Sequence, residues 1–282
     1  MDNVYPTDLA DGRWSVIAPL IPPAKSGGRP RTAGRRLVLN TIFHLARAGC
    51  QWATLPKALA KRSTAHGSFA RWKADGTRQA AQDALRRAIR TGLGREPEPS
   101  KAATDSQTVK GTEAGGGRGY GGGKKITGRK RHPVVDSLGL LPVVLVTAAS
   151  PDDGTHAPKV LAELTAARTS RLAEVRGDSK YNNRARDEYL ARSGAGYTVT
   201  VVERPAGATG FVPLPHRRVV ERARAWVGKC RRNSKDYERA TGSAEAMIQA
   251  RMTHRVLHRL APDAANAQAA FKYPRKTPQK QA

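Results

Sequence analysis

The spacing of apolar residues divides the chain into a helical first part and a mixed second part. Three amphipathic helices are predicted, with apolar sides at Trp14, Ile17, Leu20 and Ile21, at Val38, Ile42 and Leu45, and at Phe69 and Trp72. Pro22 and Pro23 end the first helix, and Ser63 is the expected N-cap of the third. Short helices with clustered arginines suit a helix-turn-helix module, and a plain helical bundle fits them equally well.

The second part begins after a polar, proline-broken linker, REPEPSK, at 95–101. Beyond it, a short strand ends at Asp105, and residues 132–150 are typical of a β-hairpin with its turn at 136–139. Further elements are predicted at 156–168 (helix), 183–193 (helix) and 197–204 (strand). This order predicts an α/β fold, in which helices cover a mixed sheet.

The pattern therefore predicts two domains and a tail: a helical domain at 1–95, an α/β domain at 96–262 and a loose basic tail at 263–282. The last helix of interest is predicted within RRVVERARAWVGKCRRNSKDYER, residues 217–239. Its apolar stripe consists of Val219, Val220, Ala223, Trp226, Val227 and Cys230.

One acidic residue, Glu221, lies almost opposite the centre of that stripe. On an uninterrupted helix it shares its side with Arg217, Arg224, Gly228, Arg232 and Lys235. In one interpretation, Glu221 pairs with arginines at helical spacing, which stabilises the helix by only a few tenths of a kcal/mol. In the other, it is a metal-binding carboxylate on a face that holds phosphates. The segment alone favours the first interpretation.

The net charge of the chain changes this picture. With 50 Lys and Arg against 23 acidic residues, the formal charge is +27, and the usual partner of such a chain is nucleic acid. A polybasic membrane-surface protein is the main competitor, but the sequence shows no amphipathic anchor, lipidation motif, signal sequence or 18-residue apolar run. Two distant cysteines, Cys50 and Cys230, fit a reducing cytoplasm and exclude a thiolate zinc site.

Three carboxylates occupy positions where α/β folds place ligands. Asp105 follows the first strand of the second domain, Asp178 follows another short apolar segment, and Glu221 lies on a helix that can pack beside both strand ends. Oxygen ligands without Cys or His suit Mg²⁺ or Mn²⁺. Two such ions can activate water and stabilise the leaving oxygen of a phosphodiester.

Longer segments carry a family resemblance. DSQTVKGTEAGGGRGY, GKKITGRKRHPVVDSLGLL, GDSKYNN and RRVVERARAWVGKCRRNSKDYE resemble successive blocks of bacterial insertion-sequence transposases of the DDE type, the IS-four/IS-five type. YPTDLADGRWSVIAPLIPP, GGRPR and GCQWATLP are similar to the helical DNA-binding region of that family. The similarity runs in order from about residue 5 to 262.

The resemblance implies a ribonuclease-H-like catalytic domain preceded by a helical DNA-binding domain. It also implies a catalytic and metal-binding triad of Asp105, Asp178 and Glu221, with Mg²⁺ or Mn²⁺ as cofactor. The expected activity is to bind the terminal inverted repeats of the element, cleave phosphodiester bonds and transfer the 3′-OH ends to target DNA. Arg217 fits the Arg-x₃-Glu element of the family, and Lys229 lies near its following basic position.

Further basic residues are candidates for DNA contact. Arg224 and Arg232 belong to the predicted Glu221 face, and Lys124 and Lys125 end a glycine-rich loop that does not match the phosphate-binding P-loop pattern. Arg29 and Arg31 form an Arg-Pro-Arg hook suited to a narrow minor groove, for which a solvated turn is an equal alternative. His254 and His258 have metal-ligand spacing, but an exposed basic helix is favoured.

Two other functions stay open at this point. Leu214 stands where the family pattern has a tyrosine, so the chain fits an inactive DNA-binding remnant as well as an active transposase. A metal-dependent nuclease without strand transfer is the other alternative. For the favoured function we expect double-stranded DNA as partner, a homodimer or larger assembly on DNA, no membrane association, and a bacterial cytoplasmic location at the nucleoid.

Overall fold

Helices form the first part of the chain, as the apolar spacing predicts. The computed structural model describes residues 5–23, 33–152, 154–164, 169–202, 207 and 215–262, with side chains from 218 onward in the last range. The helices are α1 (Asp11–Ile17), α2 (Arg35–Ala48), α3 (Arg62–Ala74) and α4 (Thr77–Gly92). Their predicted apolar sides are buried at Ile17, Ile21, Val38, Ile42, Leu45, Phe69 and Trp72.

The predicted cap of the third helix is wrong. Helix α3 begins at Arg62 with Lys61 at the N-cap position, two residues before the predicted cap, and no side chain caps it, so Ser63 lies inside its first turn. The helix-turn-helix interpretation of this part stays a prediction, because helical packing alone does not distinguish it from a bundle.

A seven-stranded mixed sheet forms the second part. Its strands are β1 (Lys101–Thr104), β2 (Gln107–Lys110), β3 (Gly119–Gly121), β4 (Ile126–Asp136), β5 (Val143–Ala148), β6 (Glu174–Gly177) and β7 (Thr198–Val201). The order is β2-β4-β1-β6-β7, and β3 and β5 also pair with β4. Strands β1, β6 and β7 are parallel, so their carboxyl ends lie at one edge. The predicted α/β class is confirmed.

The predicted hairpin is confirmed, with a longer first strand. Strands β4 and β5 are antiparallel, and Gly139 closes the turn at a φ of 76°. The Asp136 carboxylate accepts hydrogen bonds from the backbone N–H groups of Leu138 and Leu140, at 2.9 Å each. Asp136 is therefore a turn residue, as its position in the sequence indicates.

In the second part, the described ranges include the helices α5 (Ala157–Ala162), α6 (Arg184–Ser193), α7 (Pro215–Gly228) and α8 (Thr241–Leu260). Helix α7 buries Val220, Ala223 and Val227, which belong to the predicted stripe. It ends at Gly228, however, and a short 3-10 turn follows at Arg231–Asn233. The sequence prediction of one helix across 217–239 is therefore too long.

Helix α8 contributes to two hydrophobic cores. Met247, Ala250 and Leu257 pack with the apolar sides of the first helices, whereas Ile248 and Met252 pack with β4, β5 and α7. The linker is also held in place, because Glu98 pairs with Arg86 at 2.9 Å. The two hydrophobic cores therefore share α8, and the division into domains at residue 95 stays a prediction.

His254 on α8 is buried, which overturns the expectation of an exposed basic helix. Its side chain is stacked on Phe43 with ring centroids 4.6 Å apart, and its Nε2 lies 3.2 Å from Nε2 of His258. Burial lowers the pKa of His254 to about 3, and repulsion from His258 and nearby arginines adds to the shift. At neutral pH this histidine is therefore uncharged.

The low pKa of His254 predicts a loss of stability in mild acid. Because its folded-state pKa of about 3 lies below the unfolded value of 6.5, the unfolded chain binds the extra proton between these pH values. Lowering the pH from 6.5 to 5.5 is expected to cost the wild type up to about 1.4 kcal/mol more than His254→Gln. Urea titrations at both pH values measure this difference, with His66→Gln at an exposed position as control. Equal pH slopes for wild type and His254→Gln would contradict it.

Candidate active site

Two of the predicted carboxylates follow neighbouring parallel strands. Strands β1 and β6 pair with Ala103 opposite Arg176, and the same register continued for two residues places Asp105 opposite Asp178. Both residues line one cavity of about 560 Å³ and, with Val220, a smaller adjoining one. The structure therefore brings these two predicted site residues to one edge of the sheet.

The local sequence explains how Asp178 is held there. Gly177 ends β6, and a Cβ atom at this position would lie 2.8 Å from Cγ of the buried Tyr181 ring, so only glycine permits this approach. The Tyr181 hydroxyl lies 3.2 Å from the Thr104 hydroxyl at the end of β1. Asp178 itself caps the following turn by accepting a hydrogen bond from the Lys180 backbone N–H at 3.1 Å.

The larger cavity combines acidic, basic and small residues. It is lined by Asp105, Ser106, Gln107, Thr108, Gly121, Gly122, Gly123, Lys124, Lys130, Ala149, Ser150, Asp152, Asp178, Lys180 and Arg224. Four of these side chains are cationic, and three carry carboxylates. The arrangement suits a polyanion that approaches carboxylate-held cations, because basic groups surround the acidic pair.

The guanidinium of Arg224, on α7, contacts the carboxylate of Asp105. Its NH2 atom lies 2.5 Å from Oδ2 of Asp105, and both side chains are largely buried. Nε and NH2 of Arg224 have no partner with hydrogen-bond geometry within the described parts of the chain, so the contact is electrostatic and only partly satisfies the guanidinium. An imperfectly satisfied buried cation costs little to displace compared with a bidentate pair.

Glu221, the third predicted carboxylate, is not brought into the cavity. It lies on the same helix as Arg224, one turn earlier, and its side chain is exposed. Among the residues that the structure describes, no three His, Cys, Asp or Glu side chains lie close enough together to hold a metal ion. Of the predicted triad, the cavity therefore contains Asp105 and Asp178, and Glu221 lies on the helix beside them.

The predicted DNA-contact residues lie in different places. Lys124 lines the cavity, whereas Lys125 has a φ of 53° and is absent from that lining. Lys229 lies after α7 and lines a different cavity. Arg29 and Arg31, and the side chain of Arg217, fall outside the described residues.

Arg232, which the sequence predicts as a DNA contact, has its side chain paired within the protein. Because α7 ends at Gly228, Arg232 does not share the Glu221 face. It is buried, its Nε lies 2.7 Å from Oε1 of Glu238, and it donates a hydrogen bond to the Cys50 carbonyl at 2.9 Å.

Sequence reasoning missed two basic residues of the cavity, Lys130 and Lys180. The buried Lys130 donates from Nζ to the Pro151 carbonyl at 2.6 Å, and Lys180 follows Asp178 by two residues. Lys130 lies in the run GRKRH between Arg129 and Arg131, whose side chains point to the other face of β4. Because side chains alternate between the two faces of a strand, this spacing could have separated Lys130 from the two arginines.

Comparison with known proteins identifies the family. The transposase DDE domain model matches residues 96–254, more than half of the chain, and a model for transposases of the IS4/5 family matches residues 9–81. No curated protein matches the chain. The DDE domain implies a ribonuclease-H-like fold, which agrees with the mixed sheet, and its members act on DNA with divalent metal ions. No helix in the described ranges is long and apolar enough to cross a bilayer. The chain belongs to the DDE-domain transposases.

Proposed function

We propose that this transposase binds the terminal inverted repeats of its element, cleaves phosphodiester bonds there and transfers the resulting 3′-OH ends to target DNA. The observation that carries the proposal is the shared register of β1 and β6, which puts Asp105 and Asp178 in one basic cavity. Phosphoryl transfer depends mainly on positioning and charge stabilisation, and this cavity offers groups for both.

Asp105 and Asp178 supply two of the carboxylate ligands that Mg²⁺ or Mn²⁺ prefers, and Glu221 is the proposed third. The bound ions supply activation of the attacking oxygen and stabilisation of the leaving oxygen. For Glu221 to join the other two, its exposed side chain must turn toward the edge where the neighbouring Val220 already lies. Lys124, Lys130 and Lys180 would hold the backbone phosphates of the DNA around this site.

In this proposal the Arg224 guanidinium lies on the Asp105 oxygen that a metal ion would bind. Ligand binding to Asp105 requires its guanidinium to move, and a DNA phosphate is a natural new partner for it because arginine binds phosphate oxygens in the same fork geometry. In this proposal Arg224 is a positioning residue. When DNA binds, its guanidinium moves from Asp105 to a phosphate, and the Asp105 carboxylate becomes available to a metal ion.

Arg224→Gln is therefore expected to bind Mn²⁺ about tenfold more tightly than the wild type in the absence of DNA, since a charge-assisted contact with Asp105 no longer competes. Calorimetric titration with Mn²⁺ measures this directly. Arg222→Gln is the matched control, because Arg222 lies on the same helix over the Trp226 ring and outside the cavity lining. Equal Mn²⁺ affinity in the wild type and Arg224→Gln would remove Arg224 from this role.

Cleavage of labelled duplexes that carry the ends of the element tests the proposed function. In Mg²⁺, the full chain is expected to nick the end duplex and to produce joined products with an added target duplex. Nicked ends without joined products would establish a nuclease instead. Specific end binding without nicking would establish an inactive DNA-binding protein, the alternative that the exposed side chain of Glu221 supports.

A further inference from the structure

A second large cavity lies where the first helical part meets α8 and the end of α7. Its volume is about 550 Å³, within the range of about 300–1,000 Å³ typical of ligand sites. It is lined by Pro6, Thr7, His44, Arg47, Ala48, Lys229, Arg251, His254, Arg255 and His258. None of these residues lines the Asp105 cavity, so the two sites are separate.

Four cations converge on this cavity, and its described lining contains no carboxylate. They are Arg47, Lys229, Arg251 and Arg255. Burial lowers the pKa of Arg251, and the proximity of Arg47 and Arg255 lowers it further. Grouping these positive charges costs the folded protein free energy, because they repel one another. An anion bound between them would remove that repulsion, so the group indicates an anion site.

Backbone carbonyls fix two of these arginines in place. Arg47 donates a hydrogen bond to the Lys229 carbonyl at 2.8 Å, and Arg251 donates from Nε to the Trp226 carbonyl at 2.9 Å. Each guanidinium has five N–H donors, so these contacts orient it and use only part of its capacity. The guanidinium of Arg255 lies over the Trp226 ring, 5.1 Å from its centroid. The site is thus built on three helices before any ligand binds.

The histidines of the cavity favour an anion over a metal ion. His254 is buried and, with its pKa of about 3, neutral at physiological pH, and it shares a contact with His258. A divalent cation at this histidine pair would face four positive side chains within one cavity. Among the described residues, Asp8 lies near the cavity-lining His44: burial lowers the pKa of His44, and the Asp8 carboxylate opposes that shift. Oδ2 of Asp8 accepts a hydrogen bond from the Tyr5 backbone N–H.

We propose that this cavity binds a phosphate group, and specifically one of the DNA backbone, as a second anchoring point away from the Asp105 cavity. The DNA assignment rests on the proposed function, whereas the phosphate chemistry rests on the cavity alone. Clustered arginines bind phosphate oxygens through several N–H groups, and lysine adds a point charge. A strand held here would contact the first helical part and the catalytic part together, because the lining includes residues of α2 and α8 and also Lys229, which follows α7.

The test uses the full chain and the double variant Lys229→Gln with Arg255→Gln. These two side chains are chosen because, within the described parts of the chain, neither donates a hydrogen bond to another element, whereas Arg47 and Arg251 do. The control is Lys235→Gln with Arg192→Gln, which removes the same charge at exposed positions outside both cavities. Melting temperatures establish that each variant is folded, and the cavity variant is expected to melt no lower than the control because repulsion is relieved.

Two probes are titrated in EDTA, so that cleavage plays no part: a fluorescent 20-base-pair duplex over a salt series, and inorganic pyrophosphate. The cavity variant is expected to bind the duplex at least about tenfold more weakly than the control variant. The slope of log K against log salt is expected to fall by about two, roughly one per lost phosphate contact. Loss of pyrophosphate binding with unchanged duplex binding would assign the site to a free phosphate and overturn the DNA anchor. Unchanged binding of both probes would overturn the site itself. A failure of cleavage in Mg²⁺ would bear only on the proposed function.

Discussion

Asp105→Asn and Asp178→Asn are each expected to slow cleavage of an element-end duplex in Mg²⁺ by about a thousandfold or more. Asparagine keeps the size of the side chain and removes the charge that holds a divalent ion. Losing metal stabilisation of the reacting phosphate costs several kcal/mol at the transition state, and each 1.36 kcal/mol is about a tenfold change in rate. Both residues follow parallel strands in one register, so each substitution removes one of the two strand-end carboxylates.

Specific end binding should survive these substitutions, or become slightly tighter, because a carboxylate near a DNA phosphate is removed. Filter binding or anisotropy in EDTA measures it beside the cleavage assay. Asp152→Asn is the matched control: Asp152 lines the same cavity, but it pairs with Lys180 at 3.8 Å near the surface and belongs to a loop. Rates within a few fold of wild type are expected for it. Full activity of either strand-end variant would exclude that residue from the site.

Glu221→Gln separates the two interpretations of its helix. If Glu221 turns into the site when metal and DNA bind, this variant loses cleavage as severely as Asp105→Asn. If it acts only as a surface residue, the variant cleaves normally, and the proposed triad reduces to a pair. The same assay therefore decides whether the exposed side chain of Glu221 moves into the site when metal and DNA bind or stays at the surface.

The sequence predicted the strand ends well because their signals are local. Asp105 and Asp178 each follow a short apolar run, and the glycine before Asp178 marks the close approach of Tyr181. Parallel pairing of the two strands then brings them together without further information. The family resemblance pointed to the same two residues and to Glu221, whose place in a metal site stays a prediction.

The sequence did not predict which partners a side chain contacts in the folded protein. Helical spacing put Arg232 beside Glu221, but Gly228 ends the helix, and Arg232 pairs with Glu238 instead. The same spacing presented Arg224 as a DNA contact, which stays a prediction, and did not show that its guanidinium lies 2.5 Å from Asp105, 119 positions earlier in the sequence. A helical wheel reports which residues share a face; it does not report what packs on that face.

Net charge does not distinguish buried cations from exposed ones. Arg129 and Arg131 lie in β4, and both are buried. They bind the chain that follows α7: Arg131 donates to the Asn233 carbonyl at 2.7 Å, and Arg129 donates to the Glu238 carbonyl at 2.9 Å. Part of the basic charge thus holds the protein together instead of holding DNA.

Asp236→Asn is expected to destabilise the protein by about 3–5 kcal/mol, the usual cost of breaking a buried ion pair from one side. Asp236 is 2% exposed, and its Oδ1 lies 3.0 Å from NH1 of Arg129, which is 1% exposed. The amide neutralises the carboxylate and leaves the guanidinium charge buried with only carbonyl partners. Urea denaturation measures the loss, with an unchanged m value if the folded state is otherwise intact.

Asp187→Asn is the control for that measurement, because it breaks an ion pair of similar length in an exposed setting. Asp187 lies 2.5 Å from Arg186, but its side chain is 60% exposed, so water and salt screen the pair and the expected loss is below about 1 kcal/mol. The comparison of the two variants tests whether the loss of stability depends on burial of the ion pair and not only on its presence. Equal losses in the two variants would mean that Arg129 reaches water when Asp236 is neutral. In that case the segment after α7 is loosely anchored, and the helix that carries Glu221 and Arg224 can shift toward the carboxylates more easily than its packing indicates.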